Sequence, residues 1–168
     1  LFKSPEQMRN RGNGKGGGVA MVGLDPEQFG VDAATLSGSY IYTVAYLDSS
    51  NRDAVEEVCI HPNFHVDHVH EMPALSTWQT DLPALDTQPP DVVCYFVRPR
   101  EEELDRFIAE KLDDVIDPND RAAASEEFVF HITHALNVEF YAKDGRTDAF
   151  VLSHGRDILI LKIVGYAE

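Results

Sequence analysis

Met8-Arg9-Asn10-Arg11-Gly12-Asn13-Gly14-Lys15-Gly16-Gly17-Gly18-Val19-Ala20-Met21-Val22-Gly23 is the stretch whose reading decides the fold. It places six of the chain's eleven glycines within twelve residues and runs directly into the apolar segment Val19 to Val22. Glycine permits positive φ and close approach to the main chain, at an entropic cost. Such a density just ahead of a buried strand marks a crowded backbone junction. Two nucleotide readings fail on order. Gly12-x-Gly14-x-x-Gly17 has dinucleotide-loop spacing, but that loop follows a strand and opens a helix, whereas here the glycines precede the strand. Gly14-Lys15 lacks the following Ser or Thr, and the upstream glycine, of a phosphate loop.

Upstream, Ser4 and Pro5 suit a short helical turn that the glycines end. Downstream, Asp25-Pro26-Glu27 marks a turn, and residues 26–38 read as loop with room for a short helix. Tyr40 to Leu47, rich in aromatic and β-branched residues, predicts a strand. Ser50-x-x-Asp53 resembles a capping box, and Ala54, Val55, Val58 and Cys59 share one face of a helix over 51–60. Residues 61–90 hold more than half of the nine prolines and predict a long irregular connection. Val92 to Arg98 predicts a strand. Leu104, Phe107, Ile108, Leu112, Val115 and Ile116 stripe a helix over 101–116, its first turn crowded by Glu101, Glu102 and Glu103. Residues 126–142 read two ways: Phe128, Phe130 and Ile132 alternate like a strand, and Ala135 to Tyr141 read better as helix. Ala149 to Ser153 and Ile158 to Val164 predict two strands of a hairpin through His154-Gly155-Arg156-Asp157.

These elements define an α+β chain. Residues 39–145 are expected to form an inserted α+β sandwich of ferredoxin-like type, with helices on one face. The two ends, 1–38 and 146–168, are expected to meet in a separate sheet. With 168 residues and 43% apolar content the chain is long enough for one core with an insertion. No apolar run approaches the roughly 18 residues of a membrane span. A net charge of −15 argues against nucleic acid and anionic membrane as partners. Cys59 and Cys94 sit in apolar contexts and read as buried free thiols of a reducing, cytoplasmic compartment.

The densest chemical cluster is His61, His65, His68 and His70 with Asp67 and Glu71. Imidazole and carboxylate suit zinc or iron, but a proline-rich loop does not preorganise ligands, so solvated loop histidines are the expectation and no metal is assigned. His131 and His134 are read as neighbours of the core. The clusters Glu101 to Glu103 and Asp113-Asp114 are read as solvated faces. Ser153-His154 at a hairpin tip does not make a triad.

Three segments carry a family resemblance. Arg9 to Gly18 resembles the Arg-Gly segment of class II, Ntn-type glutamine amidotransferases, in the glycine-rich form of glutamate synthase domains. Tyr95-Phe96-Val97-Arg98-Pro99, and Asp148 through Lys162-Ile163-Val164-Gly165, resemble the same family in the same order. The resemblance implies an Ntn-hydrolase-like sheet built in part from the two ends. It also implies an N-terminal cysteine that attacks the glutamine amide with its own α-amino group as base, and an oxyanion stabilised by donors downstream. Arg11 and Gly12 would lie beside that nucleophile and shape its pocket. Residue 1 is leucine, and the family's His-Thr-Arg segment would follow Gly165. The chain therefore reads as the central part of such a domain, without its nucleophile and inactive alone. In the complete protein the substrate would be glutamine and the partner a synthase or acceptor subunit, with no cofactor held here. The alternative is a non-catalytic α+β interaction or regulatory module.

Overall fold

The computed structural model describes residues 17–74, 76–81, 83, 88–112 and 116–163. It is a mixed α+β structure with two antiparallel sheets. Strand β1 (Gly17–Val22) leads into a single 3-10 turn, Pro26–Phe29. Asp25 caps that turn by accepting the Glu27 N–H, and Gly30 closes it at φ 71°, a left-handed geometry that costs glycine least. Asp32 caps α1 (Ala33–Gly38) through the Thr35 N–H. Strand β2 (Tyr40–Tyr46) follows, then α2 (Arg52–Val55), which widens into a π-helical turn over Glu56–Ile60. The sequence places the cap of this unit at Ser50; Asp48 supplies it instead, accepting the Ser50 N–H ahead of the 3-10 turn Ser49–Asn51.

The expected irregular connection contains a strand. β3 (Phe64–Glu71) pairs with β4 (Asp91–Pro99) antiparallel, with a register shift between Val66 and His68. That bulge reverses the facing of the strand. Phe64 and Val66 pack on the helical side, whereas His68 and His70 meet Phe96 and Phe29 on the other. A short α3 (Trp78–Asp81) lies between β3 and β4. Helix α4 (Glu101–Glu110) ends sooner than the apolar stripe suggests.

The ambiguous stretch is helical throughout: α5 (Arg121–Asn137) is capped by Asp120 on the Ala123 N–H and continues as a π-helical turn over Val138–Ala142. Its buried Phe128, Val129, Ile132 and Leu136 follow helical spacing. The Phe128-Phe130-Ile132 alternation misleads because Phe130 is exposed.

β5 (Ala149–Ser153) and β6 (Ile158–Ile163) do not form the expected hairpin, since they belong to different sheets. β5 pairs with β2 in the four-stranded sheet ordered β3-β4-β2-β5, and β6 pairs with β1 in a two-stranded ribbon. The chain changes sheet at His154–Asp157. There Ile41 donates its N–H to the Gly155 carbonyl, and the Asp157 carboxylate accepts the N–H groups of Gly23 and Leu24. A Cβ on Gly155 would lie 2.4 Å from Cγ2 of Ile158, so any larger residue at the switch must displace that side chain.

The four-stranded sheet is covered on both faces, which is why every residue of β2 is buried. Tyr40, Tyr42, Val44 and Tyr46 face α2, α4 and α5 and form the larger core with Ile60, Phe64, Tyr95, Phe107, Phe128 and Leu136. Ile41, Cys94 and Phe96 face the other way, onto Phe29, Leu36 and Leu159, with Met21 and Leu161 of the ribbon at the margin. The ribbon therefore packs as a third layer over the sheet, and burial of its inner face is what stabilises it.

Candidate functional site

Arg11 and Gly12 lie outside the described residues, as do Asp113 and Asp114. The ribbon that the glycine-rich segment enters is described. Val19 pairs with Leu161, Met21 with Leu159, and Val22 with Ile158. Residues 17–22 and 158–163 thus meet as adjacent antiparallel strands, whereas residues 149–153, expected in the same separate sheet, belong to the four-stranded one. Period-two alternation sends Met21, Leu159 and Leu161 inward and leaves Ala20, Val22, Ile158 and Ile160 on the outer face, where Val22 is 72% exposed.

A second constellation fills the far side of β2. The hydroxyls of Tyr46 and Tyr95 are 2.7 Å apart, and Tyr95 donates to Oε1 of Glu56 at 2.7 Å. Since a phenol has one proton, Tyr46 must donate to Tyr95. Arg52 binds Oε1 of Glu56 through Nε at 2.7 Å and reaches Glu71 through Nη1 at 2.6 Å, and His61 lies 3.6 Å from Oε2 of Glu56. Burial pushes the Tyr46 phenol up to about 12 and raises Tyr95 too. Burial also works to raise Glu56, but hydrogen bonds from Arg52 and Tyr95 outweigh it and hold the carboxyl below its ordinary value. This chain is a satisfied network, buried at Tyr46 and Tyr95, open to solvent at Glu71 and His61, and anchored at the π-helical turn of Glu56. Its two phenols stay protonated at neutral pH.

The third feature is a cleft of about 380 Å³ where β4 ends and α4 and α5 begin. His65, Arg98, Glu101, Arg121, Ser125 and Arg156 are among the residues that line it. Arg98 forks onto Asp67 at 2.7 and 2.8 Å, which holds that carboxyl below its usual range. Arg121 binds Asp105 at 2.7 Å and also Glu101. Arg156 sits over the Tyr40 ring, 4.5 Å from its centroid, and forms no ion pair among the described residues. The Tyr40 hydroxyl donates to Ser125 Oγ at 3.0 Å behind the cleft wall. Burial raises that phenol, and Ser125 and the Arg156 charge oppose the rise.

The remaining candidates separate. His65, His68 and His70 lie on β3, not in a loop: His65 is exposed at the arginine cleft and His68 and His70 pack on aromatic rings, whereas His61 sits exposed in the turn before β3, beside Glu56. Among the described residues no three of His, Cys, Asp and Glu gather as a metal site. Cys59 and Cys94 are buried free thiols; burial pushes Cys59 up to about 11 and raises Cys94. Neither has the electropositive setting of a reactive thiol. Ser153 Oγ accepts the Ile160 N–H, and His154 stacks near Tyr42 with its Nδ1 buried and unpartnered, so the two share no relay. Burial lowers the His154 pKa, with Glu126 opposing.

Neither the tyrosine network nor the arginine cleft is announced by any local motif, because Tyr95 lies tens of residues from Tyr46 and Glu56, and the three arginines lie tens of residues from one another. No helix among the described residues is long and apolar enough to cross a membrane. No family model matches the chain, and neither curated proteins nor solved structures give a match.

Proposed function

We propose that this chain is part of a class II, glutamate synthase-like glutamine amidotransferase domain. The complete protein would release ammonia from glutamine for glutamate synthesis or a related amination. The observation that carries this reading is the in-register antiparallel pairing of β1 with β6. It brings the strand that leaves the glycine-rich segment beside the strand that ends the third resembling segment, and the amidotransferase reading needs these two as neighbours. The ribbon's apolar outer residues Ala20, Val22, Ile158 and Ile160 add support, since a lone two-stranded ribbon is marginal and such a face suits a larger Ntn-type sheet.

The intervening chain supports the second half of the reading. Taking β2, α2, β3, β4, the α4–α5 pair and β5 in turn gives a βαββαβ path with order β3-β4-β2-β5, which supports a ferredoxin-like reading of this part. On this reading the sandwich is an insertion carried on two neighbouring strands of an amidotransferase core. The nucleophile is then a cysteine other than Cys59 and Cys94, both of which are buried. Arg11 and Gly12 shape the pocket beside it, while the acceptor of ammonia belongs to a synthase partner.

Arg11→Ala in the complete protein is the test. Glutamine hydrolysis, followed as glutamate and ammonia release, should fall by about tenfold or more, as expected when a charged group that orients the site is removed. Turnover equal to that of the unmodified protein rules the assignment out.

A further inference from the structure

We propose that the cleft at the junction of β4, α4 and α5 is a binding site for a small molecule presenting one oxyanionic group, a carboxylate or a phosphate, to Arg156. The proposal does not depend on the amidotransferase reading. The cleft's volume, about 380 Å³, lies in the range of small-molecule sites. Arginine's planar fork matches both kinds of oxyanion.

The accounting of charge inside the cleft selects the ligand. The chain as a whole carries −15 and repels anions, yet three arginines converge on this one concavity. Two are already committed, Arg98 to Asp67 and Arg121 to Glu101 and Asp105. Those pairs fix the two side chains as walls and leave them little net charge to offer. Arg156 is held over Tyr40 without a carboxylate of its own among the described residues. Glu126 adds negative potential at Tyr40 and His154 nearby. Arg98 is cancelled by Asp67 and Arg121 is outweighed by Glu101 and Asp105, so Arg156 is the one guanidinium of the cleft left, among the described residues, to meet a single oxyanionic group. A polyanion such as nucleic acid would meet the surrounding acids instead. The position of Arg156 is itself built: it follows Gly155, whose carbonyl is tied to Ile41, and precedes Asp157, which is tied to Gly23 and Leu24.

The test titrates the isotope-labelled chain at low ionic strength with inorganic phosphate in one arm and succinate in the other, following amide shifts. At least one probe should bind saturably with one site, moving the amides of Gly38, Ser125 and Gly155, and the arm that responds identifies the oxyanion. Arg156→Gln should weaken that binding by about tenfold or more, the equivalent of one lost charged hydrogen bond. Arg156→Lys, which keeps the charge and loses the fork, should fall between. Arg156 is exposed, so both variants should melt as the unmodified chain does. Overturning results are no saturable shift with either probe up to about 10 mM, a range that already admits weak sites, or binding that Arg156→Gln leaves unchanged.

Discussion

Replacing Tyr95 with phenylalanine deletes one oxygen from the middle of a buried chain, and its cost can be worked from the direction of each hydrogen bond. Tyr95 donates to Glu56, so it accepts from Tyr46, whose side chain is 2% exposed. In Tyr95→Phe the Tyr46 hydroxyl is left as a buried donor without an acceptor, a loss of about 1–3 kcal/mol. Glu56 also loses a donor, but it keeps Arg52 and can reach water, so this adds only about 1 kcal/mol. Tyr95→Phe should therefore cost about 2–4 kcal/mol. Tyr46→Phe removes a donor and leaves Tyr95 still bonded to Glu56, so it should cost only about 1 kcal/mol. The double variant abolishes the orphan along with its partner and should cost no more than Tyr95→Phe alone. Urea denaturation at pH 7 reads all three, provided that the slope is unchanged while the midpoint moves. If Tyr46→Phe proves as costly as Tyr95→Phe, or if the two single losses simply add, the donor assignment is wrong.

Further outcomes concern the same network and the sheet switch. Glu56 is held below the ordinary value of 4.5, so its stabilisation is complete above that value and is lost as pH falls through the folded-state pKa. Glu56→Gln should flatten the acid limb of the stability–pH curve below about pH 5, and an unaltered limb would dismiss Glu56 as its source. Gly155→Ala sets a methyl against Ile158 and should destabilise by about 1–3 kcal/mol in thermal unfolding. An Ile158→Ala, Gly155→Ala double variant should recover part of that loss, and failure to recover any would mean that crowding is not the cause.

Where each segment's pattern met a single neighbouring surface, the sequence was readable. β2 shows as a run of aromatic and β-branched residues, and the start of α4 shows in its acids and apolar stripe. β3 was hidden because its bulge at Asp67 changes the phase of the alternation midway, and histidines occupy the positions that pack on Phe96 and Phe29. α5 starts at a cap, Asp120, that the sequence analysis did not pick out, and the accidental spacing of Phe128, Phe130 and Ile132 imitates a strand. The strand identities of 149–153 and 158–163 were visible, but their partners were not, since pairing with β2 or with β1 is a choice among distant segments. The same limit applies to the arginine cleft: Arg98, Arg121 and Arg156 become neighbours only after the sheet is assembled.

The register that sets Val22 opposite Ile158 has a consequence for how such a chain could be cut and rejoined. Everything from Gly23 to Asp157 departs and returns at adjoining points, so a tight two-residue turn could span the gap with no geometric penalty to the ribbon. The penalty would be one of wetting: Met21, Leu159 and Leu161 would lose the surface they lie on. The segment between the two ribbon strands is thus removable in topology and an indispensable floor in solvation, and a graft that honours the first must supply a replacement for the second.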